Sequence, residues 1–416
     1  MPATPPAPGA QLPALTGARW WAAAVVFVLH ALVFLPVYPF QKSELFRALH
    51  AVVPMQQGAA GVTFFFVLSG FVICWSFRRG MSVRGYYLRR LLKIYPTHVI
   101  SALVLVLVVA APLARPVVWL PNLLLVHTWV PKWTTLGGLN VPSWSLCAEL
   151  LFYLSFPLAL PLVARIPRSR LWPAAAGLLV LIMVLHTGLH LWVDGPKGTA
   201  NVFAARLLPG DVSPEFEIHV SPEWFAQSDI PIPASYWLGY PFPASRLPEF
   251  YVGVLAARMV AEGVWRNTRL STPLAALVLA YGATWFVPID YKMSALLVGP
   301  TAAVVATLAA RDLAGISGIN ASRPLVWLGD ISFAFYMIQF PVMVLVTRLF
   351  IGGRRWSAGG WAMWAGVSFI ASIIAAAAIY HGVDKPLMNR FAKRPPRDNR
   401  YAAPRAHSPI KALTKR

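Results

Sequence analysis

The chain has 416 residues, 57% of them hydrophobic and only 12% charged, which is far more apolar side chain than a water-soluble domain of this size needs to fill its core. That balance excludes a soluble enzyme and sends the surplus apolar surface to lipid. The net charge of +21 would suit nucleic acid, but the basic residues are sorted along the chain in a way that membrane topology explains, so no nucleic-acid partner is expected.

Residues 1–18 are rich in Pro and Ala, with no basic region before an apolar core, and read as a disordered tail rather than a signal peptide. Apolar stretches near spanning length follow at about 19–38, 60–77, 94–114, 145–163 and 171–192. More come at about 247–262, 270–287, 294–310, 325–347 and 361–380. The predicted fold is all-α, a polytopic bundle of about ten transmembrane helices in one domain over 19–385. An extracytoplasmic loop over about 193–245 and a basic cytoplasmic tail over 386–416 complete the chain.

With the N-terminus inside, alternate loops carry Arg78, Arg79, Arg84, Arg89, Arg90 and Lys93, then Arg165, Arg168 and Arg170, then Arg258, Arg266 and Arg269, then Arg311 and Arg323. The tail from Lys385 brings this side to most of the 36 basic residues. Positive charge favours the cytoplasmic side, so both termini are expected in the cytoplasm. Cys74 and Cys147 fall toward opposite ends of their helices in this topology, too far apart to pair.

Ionisable side chains inside hydrocarbon line a cavity, pair with a partner or work. His30 stands eleven residues after Arg19, which on a helix returns its side chain to within roughly 20° of the same face, about 16 Å further in. It reads either as a packing histidine or as a base. Ser69 and Gly70, in the middle of GVTFFFVLSGFVICW, read as a helix-packing site or as a place where a ligand meets backbone. Arg89, Arg90 and Lys93, at helical spacing in YYLRRLLKIYP, read as headgroup anchors or as a phosphate dock, for which forked Arg contacts and a Lys point charge are suited.

Glu149, in PSWSLCAELLFYLSFP, shares a face with Ser145 and Tyr153 four residues to either side. It lies at a depth expected to match His30. Were the first and fourth helices neighbours, the carboxylate would orient the imidazole as a base. Arg246 and Glu249 stand at i,i+3 at the outer entrance of a helix and read first as a structural ion pair, while Asp330, Tyr336 and Gln339 read as groups bridging helices. The loop at 193–245 carries Asp194, Asp211, Glu215, Glu217, Glu223 and Asp229, with aromatics whose faces suit sugar rings; it is either the acceptor-selecting element or a Pro-stiffened cover.

These stretches, in this order, resemble the membrane-bound acyltransferase-3 family, whose members O-acylate glycans, lipopolysaccharide and macrolide-type metabolites. Arg19 with His30, FFFVLSGFVI at 64–73, YYLRRLLKIYPTH at 86–98, SWSLCAELLFYLSFP at 143–157, RLPEFYVGVLAA at 246–257 and LGDISFAFYMIQFPV at 328–342 carry the resemblance, which covers about 15 to 390. It implies a catalytic role for His30. Gln339 stands where relatives commonly have histidine, so that position is not expected to transfer protons. Asp384 stands where glutamate is usual before Lys-Pro. Many relatives also carry an extracytoplasmic esterase-like domain that this chain is expected to lack, leaving transfer to the membrane domain or to a separate partner protein.

The expected activity is O-acyl transfer, with acetyl the foremost candidate, from cytoplasmic acyl-CoA to a hydroxyl of a sugar, glycan or glycosylated metabolite in the bacterial cytoplasmic membrane. No metal is expected. Arg89, Arg90, Lys93 and Arg19 would hold the donor, and His30 with Glu149 would be catalytic. Ser69, Trp144, Ser145, Tyr153, Arg246 and Glu249 would face the acceptor. The competing class is a proton-coupled transporter or flippase using His30 and Glu149 as a relay, but the chain shows neither paired halves nor matched broken helices.

Overall fold

The computed structural model describes residues 10–391 except 36, 78–81, 110–112, 114, 196, 200–231 and 353. Arg78, Arg79, the acidic residues Asp211, Glu215, Glu217, Glu223 and Asp229, and the ends of both tails lie outside the described residues. Ten longer helices follow one another: α1 (Pro13–Phe34), α2 (Met55–Ser76), α3 (Val83–Val108), α4 (Trp144–Arg165), α5 (Leu171–Trp192), α6 (Leu247–Ala261), α7 (Ser271–Ala283), α8 (Val298–Leu313), α9 (Arg323–Val346) and α10 (Ala358–Ile379). Each lies on one of the ten apolar stretches. No strand forms among the described residues, where the β element is confined to an isolated bridge between Pro39 and Trp356.

Seven of the ten, α1 to α5 with α9 and α10, are long and apolar enough to cross a membrane unaided. The other three run 15, 13 and 16 residues, short of the roughly 20 that hydrocarbon thickness demands. Their apolar stretches are interrupted: a tight turn over Pro243–Arg246 leads into α6, and turns carrying the short helix Ile289–Lys292 separate α7 from α8. Helix α3 begins eleven residues earlier than its apolar run. Ser82 caps it by accepting the Gly85 amide at 3.1 Å, which places Arg89, Arg90 and Lys93 on the helix itself.

Burial sets the layout. Along their apolar windows α9 is 78% and α1 67% buried inside the protein, against 22% for α5 and α10, whose apolar faces are left for lipid. Helix α1 packs on α2, α8 and α9; α4 packs on α2, α3 and α6. Two crossings are backbone-close because glycine stands at the contact. A Cβ at Gly70 would lie 1.9 Å from the Phe250 carbonyl oxygen, and one at Gly253 the same 1.9 Å from the Val67 carbonyl oxygen, so α2 and α6 touch reciprocally through missing side chains. Gly70 is therefore a packing residue. Gly70→Ala is expected to cost about 3 kcal/mol or more, because backbone rather than a flexible side chain must move. Gly366→Ala, with nothing within 4 Å of its Cβ, should be neutral in the same melting experiment in detergent.

The described parts of the 193–245 loop are not loose. Residues 234–239 form a helical turn with Ser235 and Tyr236 buried. The Ile232 amide donates to the Pro131 carbonyl at 3.1 Å and the Trp237 indole to the Thr128 carbonyl at 2.9 Å, which pins this end over the segment joining α3 to α4.

Candidate active site

Charged and polar side chains from α1, α3, α4, α9 and α10 converge inside the bundle. In a lower tier, the Glu149 carboxylate lies in the field of Arg19, Lys93 and Arg90. Lys93 feels Asp384, Asp330 and Glu149 in turn. Arg19 is half-buried near Asp330, Glu149, Tyr153 and Tyr380. The Arg90 guanidinium sits 5.5 Å over the Tyr86 ring and 5.9 Å over Tyr153, and the Lys93 ammonium 5.6 Å over Phe333. These cations face inward onto aromatic rings and carboxylates, a placement that plain headgroup anchors do not adopt. Arg89 is half-buried beside them.

Asp384 belongs to this tier and was visible in the sequence only as a variant of a motif. A π-helical turn over Tyr380–Asp384 extends α10 and leaves the carboxylate 2% exposed. The Thr97 hydroxyl, one turn beyond Lys93, lies 2.9 and 2.8 Å from its two oxygens and donates to one of them. The chain's last motif is thus tied to its basic motif on α3.

The upper tier is built around His30. Its ring meets Phe34 edge-on with centroids 5.0 Å apart and lies 6.5 Å from the Tyr336 ring. The buried Nδ1 has no hydrogen-bond partner. The Tyr336 hydroxyl donates to the Pro142 carbonyl at 3.0 Å and stands 3.1 Å from Ser145 Oγ, which fixes the wall opposite His30 to the start of α4.

The structure bears on two expectations here. Glu149 makes no hydrogen bond to His30: the Tyr153 hydroxyl donates to it at 3.1 Å, and among the described residues no hydrogen bond reaches the His30 ring. The reason is the packing order, since α1 leans on α2, α8 and α9 while α4 leans on α2, α3 and α6. Glu149 belongs with the cations of the lower tier, and the side chain facing the histidine is Tyr336 from α9. The second concerns Arg246 and Glu249, read above first as a structural ion pair, which are 0% and 1% exposed. Their paired contacts measure 2.9 and 3.1 Å, Arg246 also donates to Ser294 Oγ at 2.7 Å, and its guanidinium is covered by Phe66 and Tyr240 at 5.3 and 5.2 Å. Sealed on all these sides, the pair is a structural clasp.

Trp144 joins the clasp rather than an open surface, with its ring 4.7 Å from Tyr240 and 6.2 Å from Phe66. Ser69 is half-buried next to the glycine crossing. Ser145 stands against Tyr336, and Tyr153 donates to Glu149. The two cysteines are free thiols, and Cys147 Sγ is 3.3 Å from His127 Nδ1. His127 lies in the segment between α3 and α4, where burial, with His98 nearby, pushes it down to about 3 and keeps the ring neutral.

Comparison with known proteins bears on which chemistry these tiers serve. The acyltransferase-3 family model, an acyltransferase domain, matches residues 12–381, nearly the whole described chain. This chain belongs to the acyltransferase-3 family. Within the proteins it resembles, "Acyltransferase MdmB" of Streptomyces mycarofaciens is 33% identical over 398 residues, covering 93% of this chain and 94% of that one. The "Putative peptidoglycan O-acetyltransferase YrhL" of Bacillus subtilis (strain 168) is 24% identical over 350 residues, 79% of this chain but 50% of its own length. No solved structure matches the chain. The acyltransferase-3 assignment makes the protein a multi-pass membrane enzyme that transfers acyl groups. Within the described residues no cluster of His, Cys, Asp or Glu suits a metal ion.

Proposed function

We propose that the enzyme moves an acetyl or other short acyl group from acyl-CoA to a hydroxyl of a sugar, glycan or glycosylated metabolite. The observation that carries this reading is the unpaired, buried Nδ1 of His30, beyond a tier of inward-facing cations on the same bundle. A buried nitrogen without a partner is costly and stands where a reaction partner is to dock. The name of the Bacillus subtilis relative supports a hydroxyl-bearing glycan acceptor and an acetyl group.

In this reading Arg89, Arg90 and Lys93 hold the donor's phosphates at the inner face, and Arg19 steadies the pantetheine arm on its way up α1. His30 Nδ1 takes the acceptor's hydroxyl proton as the oxygen attacks the thioester carbonyl carbon. The tetrahedral intermediate then collapses, the carbon–sulfur bond breaks, and the thiolate leaves with the proton that His30 returns. Glu149 and Asp330 balance the cations around the arm rather than the imidazole. Tyr336 holds the opposite wall at a fixed distance. The charge sorting described above supports both termini in the cytoplasm of a bacterial inner membrane, where acyl-CoA is made, and the Streptomyces and Bacillus relatives agree with a bacterial setting.

The test is to incubate the purified full-length protein with acetyl-CoA labelled in its acetyl group and follow binding and thioester loss. Arg89→Gln with Arg90→Gln is expected to raise the Kd for acetyl-CoA about tenfold or more, as the loss of two charge-assisted phosphate contacts implies. Unchanged binding would return both residues to membrane anchoring, and a wild-type protein that neither binds nor consumes the thioester would remove acyl-CoA as donor.

A further inference from the structure

One end of the bundle carries positive charge that the acyl-transfer site does not use. Where α4 passes to α5, Arg165, Arg168 and Arg170 are exposed, and where α6 passes to α7, Arg266 and Arg269 are exposed. The carboxylates on these connections and at the adjoining end of α8 are Glu262 and Asp312, and both are engaged. Glu262 accepts from Arg258 at 3.0 Å, and Asp312 accepts the Ala14 amide at 3.0 Å at the start of α1. Among the described residues, none of the five exposed arginines pairs with a carboxylate.

Two of them are drawn together. Gly263, at φ +67°, turns the chain after α6, and its carbonyl accepts from Arg168 Nη2 at 3.4 Å and from Arg266 Nε at 3.2 Å. Guanidiniums from two different connections thus meet at one oxygen. A carbonyl dipole does not neutralise two full positive charges, and the remaining N–H donors of both forks are left over. A single phosphate can bridge them, since each fork offers the paired geometry that phosphate oxygens accept. Beside this clamp the Trp172 and Trp265 rings stand 5.4 Å apart. Trp265 is fixed by donating to Thr307 Oγ1 at 3.2 Å, while Trp172 is 53% exposed. Trp172 opens α5, whose apolar surface continues in the exposed Val180 and Val184. Tryptophan at such a boundary marks the headgroup level of a bilayer, so the clamp sits at headgroup level with an apolar wall next to it.

We infer that the clamp is a binding site for one anionic phospholipid, with Arg168 and Arg266 on its phosphate and with Trp172 and the outer face of α5 against its acyl chains. Free phosphate would satisfy the guanidiniums and leave the apolar wall bare, whereas a lipid covers both. A zwitterionic headgroup would bring its own cation to a place that already holds five, so a headgroup of net negative charge is selected. Bridging the two connections, the lipid ties α4 and α5 to α6 and adds to the stability of the bundle. The site is separate from the tier in which Arg90 and Lys93 turn onto aromatic rings inside the bundle, and the inference does not depend on which acyl donor the enzyme uses.

The experiment counts bound lipid. Full-length protein in dodecyl maltoside is titrated at fixed ionic strength with phosphatidylglycerol, with phosphatidylcholine and with inorganic phosphate, while native mass spectrometry reports lipid retained per chain and a melting curve reports stability. The first phosphatidylglycerol should bind about tenfold or more tightly than phosphatidylcholine, the worth of two guanidinium contacts at a membrane surface, and should raise the melting point; inorganic phosphate should not raise it. Arg168→Gln with Arg266→Gln should abolish the preference, and each single substitution should weaken it about threefold. Arg354→Gln with Arg355→Gln removes the same charge from two exposed arginines on the α9–α10 connection, at the far end of the bundle, and should leave the preference unmoved. Acetyl-CoA affinity should be the same in all of these proteins. Equal retention of the two lipids by the wild type, equal loss in the two double variants, or a folded Arg168→Gln, Arg266→Gln protein that keeps the preference would overturn the site. Inorganic phosphate that stabilises the protein as well as the lipid does would overturn the lipid as its occupant.

Discussion

Replacing His30 with Ala is expected to lower acyl transfer by about 10²–10⁴-fold, the contribution of a general base, while leaving the protein folded and in the membrane. The second half of that expectation follows from the structure. His30 makes no hydrogen bond among the described residues and its Nδ1 is unpaired, so truncation breaks no network. It removes one edge-on contact to Phe34 and one flank of Tyr336, both of which keep other aromatic neighbours: Phe340 at 4.9 Å for the first and Phe65 at 6.1 Å for the second. Transfer of label from acetyl-CoA to the acceptor, normalised to folded protein by its elution profile and melting point, checks both halves. Activity within twofold of wild type would remove His30 as the base. Comparison with Tyr336→Phe separates positioning from chemistry: that variant loses the bonds to Pro142 and Ser145 but not a proton acceptor, so it should retain far more turnover than His30→Ala.

Much of this was legible in the chain. Lipid-driven apolar runs have a period and a length that write themselves into sequence, and all ten helices stand on runs of that kind. The stripe from Arg19 to His30 was legible because both residues share one helix, where spacing alone fixes the face. Relations between helices were not. Spacing says that Glu149, Ser145 and Tyr153 share a side of α4, but not which helix they meet, and the answer placed Tyr336 opposite His30 and left Glu149 among the cations. Asp384 and Thr97 lie 287 positions apart in the chain and are joined by one hydrogen bond. No local pattern predicts such a pair. Nor does a local pattern reveal that Pro341, which has no N–H, leaves the Met337 carbonyl inside α9 for Asn140 Nδ2 to fill at 2.8 Å, since the two stand on segments whose meeting is a property of the packed bundle. Helix length was less legible than helix position. Stretches of apolar residues containing Gly or Pro read as spans, yet α6, α7 and α8 stop early where backbone turns intervene.

Glu249→Ala is expected to destabilise the protein by about 3–5 kcal/mol, because it leaves the Arg246 guanidinium buried and uncompensated. Coulomb attraction across 2.9 Å is strong at this site only while both partners are present, and neither side chain has water to fall back on at 0% and 1% exposure. Arg246→Met should cost a similar amount by stranding the carboxylate and freeing Ser294. The double variant Arg246→Met with Glu249→Leu is the informative one. A buried ion pair replaced by apolar side chains of similar volume is often neutral in stability, so the double should melt well above either single. The aromatic lid of Phe66 and Tyr240 suits a thioether as well as a guanidinium. Thermal melting of the four proteins in one detergent gives the coupling energy directly. The same set separates a clasp from a substrate contact: with a clasp, the recovered double variant keeps its KM for the acceptor within a few-fold of wild type. A folded double variant that has lost acceptor affinity would instead place Arg246 and Glu249 in the binding site.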